Sequence, residues 1–129
     1  MRAELRTAPV LYVDDDTVEC VINAPHGALI LAKDNCGSCA EYEAEIQRLQ
    51  DRDLLGHLVV GKLVLTQPGS RAFKRSNPWL STLDHLPYTV LYASGEKVDE
   101  FAASKGFFLM ERAEDAGFNL IGPVRRTGK

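Results

Sequence analysis

Continuous apolar runs alternate along this chain with segments in which apolar residues recur every three or four positions. An unbroken apolar run is typical of a strand covered on both faces, whereas the longer spacing is typical of a helix with one buried side. The predicted elements, in chain order, are a strand at Val10–Val13, a helix at Asp14–Asn23, a strand at Ala28–Ala32, a helix at Cys36–Arg52, a strand at His57–Thr66, a hairpin at Tyr88–Phe101 and a helix at Ser104–Ala116.

A polar stretch, Gln67–His85, separates the third predicted strand from the hairpin. Within it, Ser76 or Asn77 followed by Pro78 is typical of a helix start, because proline is tolerated in the first helical turn. The resulting order is β-α-β-α-β-(α)-β-β-α. Such alternation followed by a hairpin predicts an α/β sandwich, in which a mixed sheet is flanked by helices.

Glycines mark two of the predicted chain reversals. Gly95 supplies the turn of the hairpin, and Gly117 fits the left-handed position that ends a helix, with Phe118 placed to fold back as its apolar contact. We expect one domain over the whole chain, with short flexible termini at about residues 1–8 and 119–129.

Composition and charge exclude several classes of function. The chain has 129 residues and a formal net charge of −3, which argues against a nucleic-acid partner. It contains no run of the roughly 20 apolar residues that a membrane helix needs, and no long apolar run at its start of the kind that a secretory signal has. Three cysteines are an odd number, which fits poorly with a disulfide-stapled secreted domain. We therefore expect a cytoplasmic protein without a membrane partner.

Two of the cysteines stand at the head of the second predicted helix. On a helical wheel Cys39, Tyr42, Ile46 and Leu49 share one stripe, which is the side expected to face the core. Cys36 lies off that stripe, after a polar loop. The pattern predicts an exposed Cys36 and a shielded Cys39, the asymmetry that a nucleophile and a resolving thiol require.

The helix start adds to this chemistry. Its unpaired N–H groups favour a thiolate at Cys36, because in such settings cysteine pKa values fall from about 8.5 to roughly 3.5–7.5. Gly37 leaves the first turn uncrowded, and two cysteines three positions apart on a helix can be bridged. Lys33 and Asp34 flank the pair with opposite charges, whose effects are small at exposed positions.

With its CGSC motif at 36–39, placed after the strand Ala28–Ala32 and at the head of a helix, the chain resembles the thioredoxin superfamily. A second matching segment is His85–Phe101, which is similar to the proline, strand, glycine turn and closing strand of that family. The resemblance implies a thioredoxin-like three-layer sandwich with a central sheet of four to five strands. It also implies thiol–disulfide oxidoreductase activity, with Cys36 as nucleophile and Cys39 as resolving cysteine.

The resemblance assigns further residues to the site. Pro87 corresponds to a proline that is cis in the family, and the backbone of Leu86 to the segment that pairs with the substrate chain. Gly37 and Ser38, between the cysteines, join the substrate-binding set. We expect a monomer that needs no bound cofactor and no metal. Its substrates would be protein or small-thiol disulfides, and its electrons would come from a separate reductase or a thiol donor.

Some positions differ from the family's pattern. Asn35 replaces the usual aromatic residue before the first cysteine, and Ile30 stands where thioredoxins have a buried acid, six residues before that cysteine. The segment before Pro87 is also longer than usual. His85, two residues before the proline, is a hypothetical proton relay that replaces the missing acid; otherwise it is an ordinary loop histidine.

Alternative interpretations remain for several residues. Two alternatives to an oxidoreductase are a thioredoxin-like interaction module with incidental cysteines and a zinc-binding protein that uses Cys20, His26, Cys36 and Cys39. The helical wheel turns Cys20 away from the apolar side of its helix, which predicts an unpaired, partly exposed thiol. Trp79 is either a hydrophobic plug over the core or an aromatic rim of the substrate groove.

Overall fold

Five strands and four helices follow one another in the predicted order in the part of the chain described by the computed structural model, residues 10–102, 105–118 and 120. The strands are β1 Leu11–Val13, β2 Gly27–Ala32, β3 Val59–Val64, β4 Tyr88–Ala93 and β5 Glu96–Ala102. The helices are α1 Glu19–Ile22, α2 Gly37–Asp51, α3 Arg71–Ser76 and α4 Gly106–Asp115, and short 3-10 turns span Pro68–Ser70 and Pro78–Thr82. None of the helices in these ranges is long and apolar enough to cross a membrane.

The strands form one sheet in the order β1-β3-β2-β4-β5. The first three neighbours run parallel, whereas β4 is antiparallel to β2 and β5 is antiparallel to β4. All six residues of β2 are buried, as its unbroken apolar run predicts for the centre of a sheet. The prediction of a mixed sheet flanked by helices is confirmed.

The sheet separates two apolar cores. On one face Ala28 and Ile30 pack with Tyr42 and Ile46 of α2 and with Leu109 of α4. On the other face Leu29 and Leu31 of β2 pack against α1, α3 and the turn at 78–82. The residues of those segments in this core are Val18, Val21, Phe73 and Leu80. Because successive strand residues point to opposite faces, β2 supplies both cores.

The first helix is shorter than predicted. The sequence predicts a helix over Asp14–Asn23, but α1 begins at Glu19. The Asp14 carboxylate instead accepts the Asp16 and Thr17 N–H groups at 3.0 and 3.1 Å. Aspartate competes in this way with helical hydrogen bonding, and so the start of the segment forms a turn.

The second difference lies in the segment before β4. Pro78 does begin a helical turn, with Asn77 as its cap position, but the turn is a 3-10 turn of five residues. The α-helix of this segment is α3, whose first N–H groups bind Asp15: Ala72 N–H and Phe73 N–H donate to its carboxylate at 2.9 Å each. Asp15 lies 57 residues before Ala72, which is why local sequence signals miss the start of α3.

Both predicted glycine reversals are confirmed. Gly95 has a φ of +93° and Gly117 has a φ of +95°. After Gly117 the N–H of Phe118 donates to the Ala113 carbonyl at 2.9 Å, and the Phe118 side chain is buried. This is the hydrogen bond expected where a left-handed glycine ends a helix.

Some predictions fall on residues that the structure does not describe. These are the cap at Ser104 and the flexible termini at 1–8 and 119–129, apart from Leu120, which is buried in the core beneath α2 and α4.

Candidate active site

Three loops meet at one edge of the sheet. Residue pairing aligns Ala32 with Val64 and Leu31 with Tyr88, so the loops after β2 and β3 lie beside the segment that enters β4. This edge brings residues 33–36, 65–67 and 84–87 together. Both segments that carry the family resemblance are therefore neighbours in space, as expected.

The two cysteines occupy the first turn of α2. Cys36 is the N-cap residue, and its Sγ accepts the Cys39 N–H at 3.1 Å. The pair is bridged by a disulfide, with the Cα atoms 5.2 Å apart. Cys39 is only 2% exposed, whereas Cys36 is partly exposed. The predicted difference in accessibility is thus present, and Cys36 is the cysteine of the pair that solvent reaches.

The loop before Cys36 is fastened to the end of β3. The Asp34 N–H donates to Thr66 Oγ1 at 3.0 Å, and the Thr66 hydroxyl donates back to Asp34 Oδ2 at 2.9 Å. Gln67 Nε2 donates to Asp34 Oδ1 at 3.2 Å. Asn35 then reverses the chain with a φ of +54°. Sequence reasoning treats Asp34 only as a charge, because its partners lie 32 and 33 residues further on.

The remaining predicted site residues lie at the same edge. The Leu86–Pro87 peptide bond is cis; Pro87 is buried and Leu86 is half-buried. Gly37 and Ser38 are exposed, and a Cβ added at Gly37 would meet no atom within 4 Å. His85 is exposed and makes no hydrogen bond or ion pair with any residue of the described ranges. Its role as a proton relay stays a hypothesis.

Buried neutral residues of β2, β4 and α2 pair with one another near the site. Ile30 is buried and pairs with Thr89 across β2 and β4. The Thr89 hydroxyl shares a hydrogen bond of 2.8 Å with the Tyr42 hydroxyl, and both side chains are fully buried. Burial raises the pKa of Tyr42 to about 12, with the hydrogen bond to Thr89 opposing the shift. Tyr42 is therefore uncharged at neutral pH.

The Glu43 carboxylate of α2 accepts hydrogen bonds from two donors on neighbouring strands. Lys62 Nζ lies 2.7 Å from one of its oxygens, and the Tyr12 hydroxyl donates to the other at 2.6 Å. Partial burial favours a higher pKa for Glu43, but hydrogen bonds from Lys62 and Tyr12 hold it below its usual value. This network ties α2 to β1 and β3 beyond the first turn that carries the cysteines.

The Trp79 side chain makes a hydrogen bond, a ring contact and a cation–π contact with residues of its own chain. Its Nε1 donates to Asn77 Oδ1 at 3.2 Å, its ring lies 6.4 Å from that of Tyr88, and Lys97 Nζ lies 4.6 Å from the ring centroid. The half-buried ring packs on the core beneath α1 and α3. These contacts favour the hydrophobic plug over an aromatic rim that awaits a partner.

The four candidate zinc ligands do not form a cluster. Within the described part of the chain, no three His, Cys, Asp or Glu side chains are arranged to hold a metal ion. His26 stacks on Phe118 with ring centroids 4.4 Å apart, and Cys20 is a free, exposed cysteine, as the helical wheel predicts.

Comparison with known proteins gives matches by structure alone. No protein-family model and no curated protein matches the chain. A mutant thioredoxin from Halobacterium salinarum superposes with a TM-score of 0.65 and 21% identity, covering 84% of this chain and 90% of that one. Thioredoxin f from spinach chloroplast gives a TM-score of 0.68 at 16% identity, covering 87% and 96%. A complex of ferredoxin:thioredoxin reductase with thioredoxin f2 gives 0.61 at 18% identity, covering 87% and 98%.

These likenesses extend over nearly the full length of the compared chains, but their identities are low. At such identities a structural match describes the path of the backbone and not the role of any side chain. In this chain the two cysteines stand at the head of the second helix. The expected architecture is confirmed: this protein has the thioredoxin fold, with Cys36 and Cys39 at disulfide distance.

Proposed function

We propose that this protein is a thiol–disulfide oxidoreductase that uses Cys36 as nucleophile and Cys39 as resolving cysteine. The observation that carries the proposal is the Cys36–Cys39 disulfide across the first turn of α2, with Cys36 Sγ in the N-cap position. A sulfur that accepts a helix N–H is in a setting that stabilises a thiolate once the bridge is reduced.

Reduction of a substrate proceeds in two exchange steps. The Cys36 thiolate attacks one sulfur of the substrate disulfide, so that a mixed disulfide forms and the other substrate sulfur leaves as a thiolate that takes up a proton. The Cys39 thiol then loses its proton, and its sulfur attacks Cys36 Sγ. The second substrate thiol is released, the Cys36–Cys39 bridge forms, and two electrons have passed to the substrate.

The accessibility of the two sulfurs supports this division of roles. Cys36 is partly exposed and next to the open side of Gly37, so a partner's sulfur can approach it. Cys39 is buried beside it and reaches only a sulfur already bonded to Cys36. Substrate backbone would lie against Leu86, before the cis-proline, and against Gly37 and Ser38.

Regeneration of the dithiol needs an electron donor. One of the similar structures is a thioredoxin in complex with ferredoxin:thioredoxin reductase, which supports a separate reductase as a partner in general. A low-molecular-weight thiol is the other candidate donor. The odd number of cysteines and the exposed Cys20 thiol are compatible with a reducing cytoplasm, where we propose that the protein acts as a monomer.

A redox titration against glutathione tests the proposal. The protein would be equilibrated across a range of glutathione poises, and free thiols counted by alkylation and mass spectrometry. All samples would carry Cys20→Ser, so that only the pair is scored. We expect one two-electron transition between dithiol and disulfide. If the bridge forms at no poise, the proposal fails, and an interaction module with incidental cysteines becomes the better account.

Trapping assigns the roles within the pair. Cys39→Ser should accumulate mixed disulfides with substrates, because the resolving thiol is missing, whereas Cys36→Ser should not. The opposite pattern would reverse the assignment of nucleophile and resolving cysteine.

A further inference from the structure

The hydrogen bonds around Asp34 form a closed connection between two loops. Thr66 Oγ1 both accepts the Asp34 N–H and donates to the Asp34 carboxylate, and Gln67 donates to the other carboxylate oxygen. Two residues before Asp34, the Ala32 carbonyl accepts the Leu65 N–H at 2.8 Å. Both the backbone and the side chain of Asp34 are therefore held two residues before Cys36.

The anchoring loop is itself fixed from behind. The Ser70 hydroxyl, in a side chain that is 1% exposed, approaches the Leu65 and Gln67 carbonyl oxygens at 3.1 and 2.9 Å. Lys74 Nζ donates to the same Leu65 carbonyl at 2.7 Å. Thr66 and Gln67 thus belong to a turn that Ser70 and Lys74 hold by hydrogen bonds. The loop before Cys36 is in turn hydrogen-bonded to this turn.

Between this fastening and the helix only Asn35 remains. Its left-handed backbone turns the chain into Cys36, whose extended conformation (φ −116°, ψ 104°) brings Sγ to the Cys39 N–H. Asparagine adopts this region more readily than most residues with a side chain, so the reversal suits this position.

We propose that Asp34 is a positioning residue, which through Thr66 and Gln67 holds Cys36 in the N-cap position and so makes its sulfur reactive. The inference rests on the proposed exchange function and deepens it. Asp34 acts through the loop geometry and touches neither substrate nor the reacting sulfur.

The charge of Asp34 would act in the opposite direction. A carboxylate beside a thiolate disfavours the thiolate, so loss of the charge alone would speed the reaction of Cys36 with an alkylating agent. Loss of the fastening would slow it, because Sγ would leave the N-cap. The elements around Cys36 also carry other charged groups and a histidine. They are Lys33, Glu41, Glu43 and Glu45 before and in the first half of α2, Arg71, Lys74 and Arg75 of α3, Asp84 and His85 before β4, and Asp14–Asp16 after β1.

Three variants separate these effects, all with Cys20→Ser. Thr66→Val removes the hydroxyl and leaves every charge in place. Asp34→Ala removes the fastening and the charge together. Glu41→Gln is the matched control, because it removes an exposed carboxylate of α2 that has no hydrogen bond or ion pair within the described ranges.

The measurement is the pH dependence of Cys36 alkylation by iodoacetamide in the reduced protein, read at the Cys36 peptide by mass spectrometry. We expect Thr66→Val and Asp34→Ala to shift the midpoint upward and to slow alkylation at pH 7 by about threefold or more. Glu41→Gln should match or slightly exceed the parent rate. An unchanged profile for Thr66→Val, or faster alkylation of Asp34→Ala, would overturn the proposal and leave Asp34 a simple surface charge.

Folding of each variant is checked by circular dichroism. Should Thr66→Val not fold, Gln67→Ala carries the same test, because it removes the amide that binds Asp34 and leaves the charges unchanged. Alkylation needs no partner or electron donor. Failure of the oxidoreductase proposal in the glutathione titration is therefore distinguishable from failure of this one.

Discussion

At the scale of single residues, one buried pair of hydroxyl groups joins α2 to β4. The Tyr42 and Thr89 hydroxyls lie 2.8 Å apart in side chains that are fully buried. Neither position stands out in the sequence as part of the site, because the pairing joins residues 47 positions apart. A buried hydroxyl is costly when its partner is lost, so the pair is best tested by removing one member at a time.

Tyr42→Phe leaves the Thr89 hydroxyl buried without this partner and should lower the free energy of unfolding by about 1–3 kcal/mol. Urea denaturation measures the change. In a Thr89→Val background the same substitution should cost less, since no orphaned hydroxyl remains. Equal costs in the two backgrounds would mean that the hydrogen bond contributes nothing of its own.

The raised pKa of Tyr42 also predicts a loss of stability in alkali. Its pKa is about 12 in the folded protein against 10.0 for an ordinary tyrosine, so the unfolded chain loses this proton first as pH rises. The contribution is complete below pH 10 and should fall by about 2–3 kcal/mol between pH 10 and pH 12. Tyr42→Phe should make the unfolding free energy less dependent on pH in that window. A parallel decline in both proteins would contradict the assignment.

At the scale of elements, the boundaries of helices and strands could be predicted only where the residues that determine them are close in sequence. Unbroken apolar runs predict β2 and β3, and the glycine at position 117 correctly marks the end of α4. The start of α3 depends on Asp15, and the loop before Cys36 depends on Thr66 and Gln67. Such contacts across the fold leave no periodic trace in the chain, so the start of α3 and the hydrogen bonds of the loop before Cys36 could not be predicted.

Asp15 gives the first test at this scale. Asp15→Ala removes the carboxylate that accepts the Ala72 and Phe73 N–H groups, and should cost about 0.5–2 kcal/mol of unfolding free energy. Asp16→Ala is the control, because the Asp16 carboxylate is exposed and accepts none of these bonds. The two variants would be compared by urea denaturation, and similar costs would argue against a capping role for Asp15.

The packing of α1 on the sheet gives the second test. A Cβ at Gly27 would overlap the backbone carbonyl of Val21, so Gly27→Ala must push α1 away from β2. We expect a loss of about 1–3 kcal/mol by thermal or urea denaturation. Gly37→Ala adds the same methyl group where nothing lies within 4 Å, and should be neutral or slightly stabilising. An equal effect at the two glycines would contradict the close approach of α1.

At the scale of the whole molecule, the sheet connects the cysteine pair to both apolar cores. Cys36 caps the helix that covers one core. Strand β2, which leads into this cap, lies at the centre of the sheet and supplies both cores. The fold class could be predicted because the order of elements and the CGSC motif are local features. The sequence also shows that position 30 carries no acid, but the buried hydrogen bond between Tyr42 and Thr89 could not be predicted from it.

Reduction of the Cys36–Cys39 bridge should lower the stability of the whole molecule. The bridge closes a short loop and restricts the unfolded chain, which corresponds to about 2 kcal/mol for cysteines three positions apart. Urea denaturation of the Cys20→Ser protein, with and without dithiothreitol, measures the difference. In the Cys36→Ser variant, which cannot form the bridge, dithiothreitol should leave the free energy of unfolding unchanged. A reduced form as stable as the oxidised one would contradict the prediction.

The contacts of Trp79 have a practical consequence. It is the only tryptophan of the chain, and it packs on the face of the sheet opposite the cysteine-bearing helix. Its fluorescence therefore observes the core beneath α1 and α3, whereas far-ultraviolet dichroism is dominated by α2 and α4, the two longest described helices on the other face. Recording both signals through one denaturation shows whether the two halves of the molecule come apart together, without any label being introduced.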